Sequence, residues 1–161
     1  MKPIVLATDG SPSAAAATTE AVELAAALGA PLVAVAVEHV NVPGYGYYGY
    51  ADLVNEYRKI ENEHVTQTLQ KVSAAAAEHA VHCETVHATG AVVDDVTSIA
   101  RTRNARMIVI GAHGWGVLGR ALHGSVSRAV LQEAPCPVLV VRGGEAVEAE
   151  ALAAEEAVPA R

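Results

Sequence analysis

The sequence predicts an α/β protein in which five mostly parallel strands alternate with four helices. Three observations support this. Four short runs rich in Val, Ile and Leu are apolar at consecutive positions, as in strands buried on both faces: residues 4–8, 32–37, 107–110 and 138–141. Helical patterns separate these runs, and such alternation requires right-handed crossovers. A hydrophobic content of 52% in 161 residues is enough for one buried core.

The elements between these runs are predicted in chain order. Ser11 is the expected N-cap of the first helix, with Pro12 at its first position, and Gly29 ends that helix. A longer helix spans about residues 52–80. Its apolar stripe is formed by Leu53, Tyr57, Ile60, His64, Leu69, Val72 and Ala76. Residues 81–87 alternate weakly and indicate an edge-like strand; the third helix follows near Val92 and the fourth begins at Ser125.

The expected architecture places a ligand site at one edge of the sheet. A doubly wound, Rossmann-like sheet with strand order 3-2-1-4-5 and helices on both faces binds ligands beyond the carboxyl ends of its strands, where the order reverses. Here the order reverses between strands 1 and 4, whose runs end at Asp9 and Gly111. The unusual residues of the sequence follow those same two ends.

Charge and composition exclude several classes of protein. The net charge is −7, so binding of nucleic acid through its phosphate backbone is not expected. Much of this charge belongs to an acidic tail rich in Ala and Glu, residues 143–161, which follows a single predicted domain at 1–142. No apolar run reaches the roughly 18–20 residues that span a bilayer. With two cysteines and no signal-peptide pattern, the expected location is cytoplasmic.

A glycine-rich segment between a buried strand and a helix predicts an anion site. Residues 111–127 read GAHGWGVLGRALHGSVS, and glycines there let backbone N–H groups converge on a phosphate. The N-terminus of the fourth helix, at Ser125, favours the same ligand. The alternative is a surface loop with Ser125 as an ordinary N-cap. The segment also matches G-x-G-x-x-G, but it does not open a βαβ unit, and it lacks the lysine of a P-loop.

These residues resemble the universal stress protein family. Its nucleotide-binding members carry G-x2-G-x9-G-[S/T], which Gly111, Gly114, Gly124 and Ser125 match. The resemblance extends to IVLATDGS at residues 4–11 and PCPVLVV at 135–141. It implies a sandwich of five parallel strands, of the adenine nucleotide α-hydrolase-like type, that is usually homodimeric and binds ATP in the branch with the glycine motif.

The resemblance also implies the role of each site residue. Asp9 matches the acid beside the ribose and the metal–phosphate region, although a turn residue is the alternative. Val37 matches the position whose backbone contacts the adenine edge, although an ordinary core residue is the alternative. Ile110 matches a residue that packs on the nucleoside. The phosphate cradle consists of Gly111, Gly114, Gly124, Ser125 and Val126. The predicted site is completed by Ala7, Thr8 and His113. No protein metal ligand is expected, since Mg²⁺ would arrive on the ATP phosphates.

Other candidate groups predict less chemistry. No two histidines are spaced four apart on one helix, and neither Cys83 nor Cys136 has a suitable partner, so neutral histidines and inert thiols are expected. Four tyrosines crowd residues 44–50, which would form either a lid over the adenine or a solvated loop or protein contact. The tail would be a frayed helix or disordered.

Three functions remain open from the sequence. The first is an ATP-binding regulatory protein of the stress response, in which nucleotide occupancy alters dimer or partner contacts. The second is a slow ATPase or phosphotransferase at the same site, for which the sequence offers no identifiable general base. The third is a nucleotide-free dimeric module. A homodimer is expected through strand 138–141, because an apolar edge strand pairs readily with another chain. The alternative is that the acidic tail folds back and covers that edge.

Overall fold

A computed structural model describes residues 1–38, 50–112 and 125–143, with side chains in the second stretch from residue 54 onward. The elements follow the predicted order. The strands are β1 (Ile4–Ala7), β2 (Leu32–Val37), β3 (Cys83–Ala88), β4 (Met107–Gly111) and β5 (Val138–Val141). The helices are α1 (Pro12–Leu28), α2 (Tyr50–Glu78), α3 (Val92–Thr102) and α4 (Ser125–Glu133). Two segments on which predictions were made, the tyrosine-rich residues 44–49 and the tail beyond Gly143, lie outside the described residues.

The five strands form one parallel sheet in the order β3-β2-β1-β4-β5, which confirms the predicted fold class. In the centre, Ile4 of β1 is aligned with Leu32 of β2 on one side and with Met107 of β4 on the other. Right-handed crossovers then fix the faces. The connections from β1 to β3 step one way across the sheet, so α1 and α2 share one face. The return to β4 and β5 places α3 and α4 on the opposite face.

Two apolar layers hold the helices against the sheet. Alternate residues of β1 illustrate the division: Ile4 and Leu6 pack with α1 and α2, whereas Val5 and Ala7 pack with α3 and α4. Ile4, Val5 and Leu6 are fully buried. Because both faces of the central strands are covered, their sequence is apolar at every position, which is the pattern that predicted them.

Helix α1 begins and ends as its sequence predicts. The Ser11 hydroxyl accepts a hydrogen bond from the Ala14 N–H at 3.2 Å, and Pro12 occupies the first helical position. Gly29 ends the helix in the left-handed region, at φ 60°. Ala17, Ala21 and Ala25 are buried on its inner face, which lets the helix backbone approach the sheet closely.

Helix α2 extends well beyond the strands that it covers, and here the predicted apolar stripe is wrong in its first half. Its 29 residues rise about 43 Å, whereas six residues of β2 span about 20 Å. Tyr57 and Ile60 are 43% and 58% exposed, and burial begins only at Val65. The stripe has the correct spacing, but the five strands of the described ranges do not bury its N-terminal part.

No helix in the described ranges combines the length and apolarity that crossing a membrane would need.

Candidate functional site

Four of the predicted contact residues lie together at the carboxyl edge of the sheet. Ala7 and Ile110 are aligned with each other in the neighbouring strands β1 and β4. Val37 ends β2 on the same face, and Val126 in the first turn of α4 packs against the same apolar layer. The structure thus places all four on the side of α3 and α4. They belong to the apolar layer beneath α3 and α4, and Ala7 and Ile110 lie within it where the strand order reverses.

A tight turn carries Asp9 away from the end of β1. This Asp9 turn, residues 8–11, is built from local hydrogen bonds: the Thr8 hydroxyl accepts from the Gly10 N–H at 3.3 Å, and Asp9 Oδ1 accepts from the Ser11 N–H at 3.0 Å. Gly10 has φ +77°, a conformation that favours glycine. Asp9 is exposed. The alternative role of a turn residue therefore describes one carboxylate contact of Asp9, and its role as a ligand-facing acid stays a prediction.

Gly111, which was predicted to contact phosphate, packs against helix α1. It ends β4 on the face of α1, opposite to the face of Ile110. A Cβ at Gly111 would lie 2.9 Å from the carbonyl carbon and oxygen of Ser13. The absence of a side chain at this position is thus required by helix packing, independently of any ligand.

The start of α4 is fixed beside the end of β4. The Ser127 hydroxyl donates a hydrogen bond to the Ala112 carbonyl at 3.2 Å, and Ser127 is buried. Ser125, at the first position of the helix, is exposed. The first N–H groups of a helix have no acceptor inside it and carry its positive dipole end, so this end suits an anion. The other predicted residues of this segment, His113, Gly114 and Gly124, lie outside the described residues.

Three polar residues near this edge were not predicted from the sequence. Ser127 could have been found from its spacing, since it lies three residues before buried Val130. His64 and Thr68 on α2 approach the Asp9 turn from the opposite face of the sheet. No local pattern indicates these two contacts, because the partners are more than 50 residues apart in the chain.

A buried acid lies directly after β2, beside the candidate site. Glu38 is 8% exposed, and its Oε2 is 3.3 Å from Nε2 of His87 on β3. The Glu38 N–H donates to the Ala88 carbonyl at 2.8 Å. These contacts extend the β2–β3 pairing past Val37, so that the strand end predicted to read the adenine is held in place.

The two cysteines lie at the amino ends of the edge strands, away from this site. Burial raises the pKa of the Cys83 thiol, and the neighbouring Glu84 carboxylate raises it further. Burial also raises the pKa of Cys136. Both groups are thiols at neutral pH, which agrees with the expected inert chemistry. Among the described side chains, no cluster of three or more His, Cys, Asp or Glu residues could hold a metal ion.

Comparison with known proteins identifies the family. The model of the universal stress protein family matches residues 1–142. A universal stress protein from Methanocaldococcus jannaschii is 34% identical over 142 residues, which cover 88% of this chain and 82% of the relative. The chain belongs to the universal stress protein family.

Solved structures agree with this assignment. The universal stress protein UspA from Lactobacillus plantarum superposes with a TM-score of 0.73 at 28% identity, covering 88% of this chain and 97% of that one. A universal stress protein in complex with cAMP gives 0.67 at 25% identity, covering 89% and 98%. The Archaeoglobus fulgidus protein in complex with dAMP gives 0.61 at 26% identity, covering 88% and 98%. Structural neighbours of this chain therefore bind adenine nucleotides.

Proposed function

We propose that this protein binds ATP, with Mg²⁺ on its phosphates, between the carboxyl ends of β1 and β4. The observation that carries the proposal is the apolar layer shared by Ala7, Val37, Ile110 and Val126 at the carboxyl ends of the strands, which includes the first turn of α4. An apolar layer that ends beside an anion-favouring helix end suits a molecule with a base at one end and phosphates at the other. The adenine nucleotides of the structural neighbours have this chemistry.

The proposed contacts divide along the nucleotide. The Val37 backbone reads the adenine edge, and Ile110 and Ala7 support the base and ribose. Asp9 and Thr8 lie beside the ribose and the metal–phosphate region. The phosphate cradle, together with His113, binds the phosphates. Mg²⁺ is usually held by phosphate oxygens and one or two carboxylates, and the exposed Asp9 is a carboxylate at the right end of the sheet.

We propose that the protein acts as a regulator controlled by nucleotide binding, and not as a catalyst. Nucleotide binding would alter contacts between two copies of the chain or with a protein partner, and the expected dimer pairs the β5 strands. The predicted cytoplasmic location belongs to the same proposal. A slow ATPase at this site is a separate outcome, tested by release of phosphate from bound ATP.

Two measurements test the proposal. Mass spectrometry of the supernatant after denaturing the purified protein identifies any nucleotide that it carries. Titration calorimetry of nucleotide-free protein with Mg-ATP should then give a Kd in the micromolar range, which corresponds to about −8 kcal/mol. The absence of both heat and a thermal shift with Mg-ATP would contradict ATP binding. If the protein retains cAMP or AMP tightly and has no affinity for ATP, its ligand is an adenine nucleotide other than ATP.

A further inference from the structure

Helix α2 contacts the Asp9 turn from the face of the sheet opposite to the proposed nucleotide. His64 Nε2 is 3.0 Å from the carbonyl oxygen of Asp9. That oxygen is an acceptor only, so the ring nitrogen must carry the proton and donate it. The bond joins two residues that are 55 positions apart in the chain.

Gly10 brings the same helix into close contact with the turn. A Cβ at Gly10 would lie 2.7 Å from Oγ1 of Thr68 and 3.3 Å from Cε1 and Nε2 of the His64 ring. Thr68 is 7% exposed and therefore fixed by its surroundings. His64 and Thr68 are one helical turn apart, so both approach the turn from one side of α2.

We infer that His64 is a positioning residue for the nucleotide site. Its ring donates a hydrogen bond to the Asp9 carbonyl from the α2 face of the sheet. The position of the Asp9 backbone in turn sets the direction of the carboxylate toward the proposed nucleotide. Hydrogen bonds to Val35 of β2 and Ala14 of α1 hold the two ends of the turn, at Thr8 and Ser11. The contacts with α2 act between them, at Asp9 and Gly10. This inference rests on the proposed ATP site, and it adds a residue on α2 to a site otherwise built from β1, β2, β4 and α4.

The experiment compares substitutions that differ in donor reach. His64→Ala removes the donor and should weaken Mg-ATP binding about five- to tenfold, because binding must then order a turn that one hydrogen bond holds in the unmodified protein. In His64→Gln the side-chain amide nitrogen is as many bonds from Cβ as Nε2 of histidine, so affinity should return to within about twofold of the unmodified protein. His64→Asn carries the same amide on a shorter stem and should behave like His64→Ala.

His79→Ala is the matched control. His79 is also an exposed histidine, with a ring nitrogen 3.1 Å from the backbone carbonyl of Ala75, but it lies in the turn directly after the C-terminal end of α2. This variant should bind Mg-ATP as the unmodified protein does. Amide NMR resonances of Gly10 and Ser11, recorded without nucleotide, should shift in His64→Ala and stay in place in His79→Ala.

The outcomes separate the inference from the proposed function. Failure of the unmodified protein to bind Mg-ATP would overturn the proposed function, while the Gly10 and Ser11 resonances would still test whether His64 holds the turn. Equal ATP affinity in the unmodified protein and His64→Ala would overturn the inference alone. Equal weakening by Gln and Ala would also overturn it, since rescue by a donor of the same reach is what positioning through this bond requires.

Discussion

Gly111 and Ser13 are in direct contact where the end of β4 meets the first turn of α1. A Cβ at Gly111 would lie 2.9 Å from three atoms of Ser13, two of them backbone atoms that cannot rotate away. The residue that opens the glycine motif is therefore also a packing residue. The first turn of α1 can approach β4 this closely because Gly111 has no side chain.

The contact predicts that Gly111→Ala destabilises the fold. One added methyl group should lower the free energy of unfolding by about 1–3 kcal/mol, because α1 or β4 must shift. Denaturant unfolding followed by circular dichroism measures the change. Gly29→Ala serves as the control: it adds a side chain in a left-handed conformation with no atom within 4 Å, so it should cost stability while leaving Mg-ATP affinity unchanged. An unaltered unfolding midpoint in Gly111→Ala would contradict the packing role.

Gly114→Val and Gly124→Val test the part of the phosphate cradle that is predicted from the sequence alone. A branched Cβ would intrude where backbone N–H groups must approach the phosphates, so each variant should lose ATP binding at least tenfold. The fold should survive, as judged by an unchanged circular dichroism spectrum. Unchanged affinity in both variants would show that the phosphates bind elsewhere.

Asp9→Asn separates the charge of Asp9 from its turn contact. The asparagine oxygen still accepts from the Ser11 N–H, so stability should change by no more than about 0.5 kcal/mol. Affinity for Mg-ATP should fall about tenfold, since the proposed site places this carboxylate beside the metal–phosphate region. Calorimetry with and without Mg²⁺ checks this, and the loss should be smaller without the ion. An equal loss in both conditions would argue against a role near the metal.

The strand pattern allowed the fold to be predicted, and with it the sheet edge at which the predicted site residues would meet. Because central parallel strands are covered on both faces, runs such as residues 32–37 show their burial directly in the sequence, and the strand order then brings Asp9 and Ile110 to one edge. Two features escaped prediction for physical reasons. Periodicity shows which side of α2 is apolar, but not how far the sheet extends beneath Tyr57. Contacts such as His64 with Asp9 depend on tertiary placement, which no local pattern encodes.

The β5 edge predicts a homodimer that a single charge disrupts. Leu139 is 37% exposed and the other residues of β5 are half-buried, and β5 ends the sheet formed by the described strands. Leu139→Lys and Val140→Lys should each place like charges opposite one another across a two-fold axis and yield monomers. Leu28→Lys is the control, since Leu28 has the same 37% exposure at the end of α1. Light scattering at tens of micromolar measures the mass; a monomeric unmodified protein would contradict edge pairing.

The cysteines predict how stability responds to alkaline pH. Burial raises the pKa of the Cys83 and Cys136 thiols in the folded protein above the ordinary value of 9.0, so the unfolded chain loses these protons first as pH rises. Their contribution to stability is fully present below pH 9.0 and is lost as pH passes through the folded pKa values. The free energy of unfolding should therefore fall more steeply above pH 9 in the unmodified protein than in a Cys83→Ala/Cys136→Ala variant. Parallel slopes would contradict the raised pKa values.

The pairing of β1 with β4 has a consequence for how the chain folds. Ile4 is aligned with Met107, about 100 residues later, so one side of the first strand stays open until most of the chain has been synthesised. Closing so long a loop costs entropy before any contact repays it, and non-local parallel pairing slows folding. The ends of β1 and β4 form the proposed ATP site. The proposed ATP site thus requires this long-range pairing, and bound nucleotide can stabilise only chains in which β1 and β4 have paired.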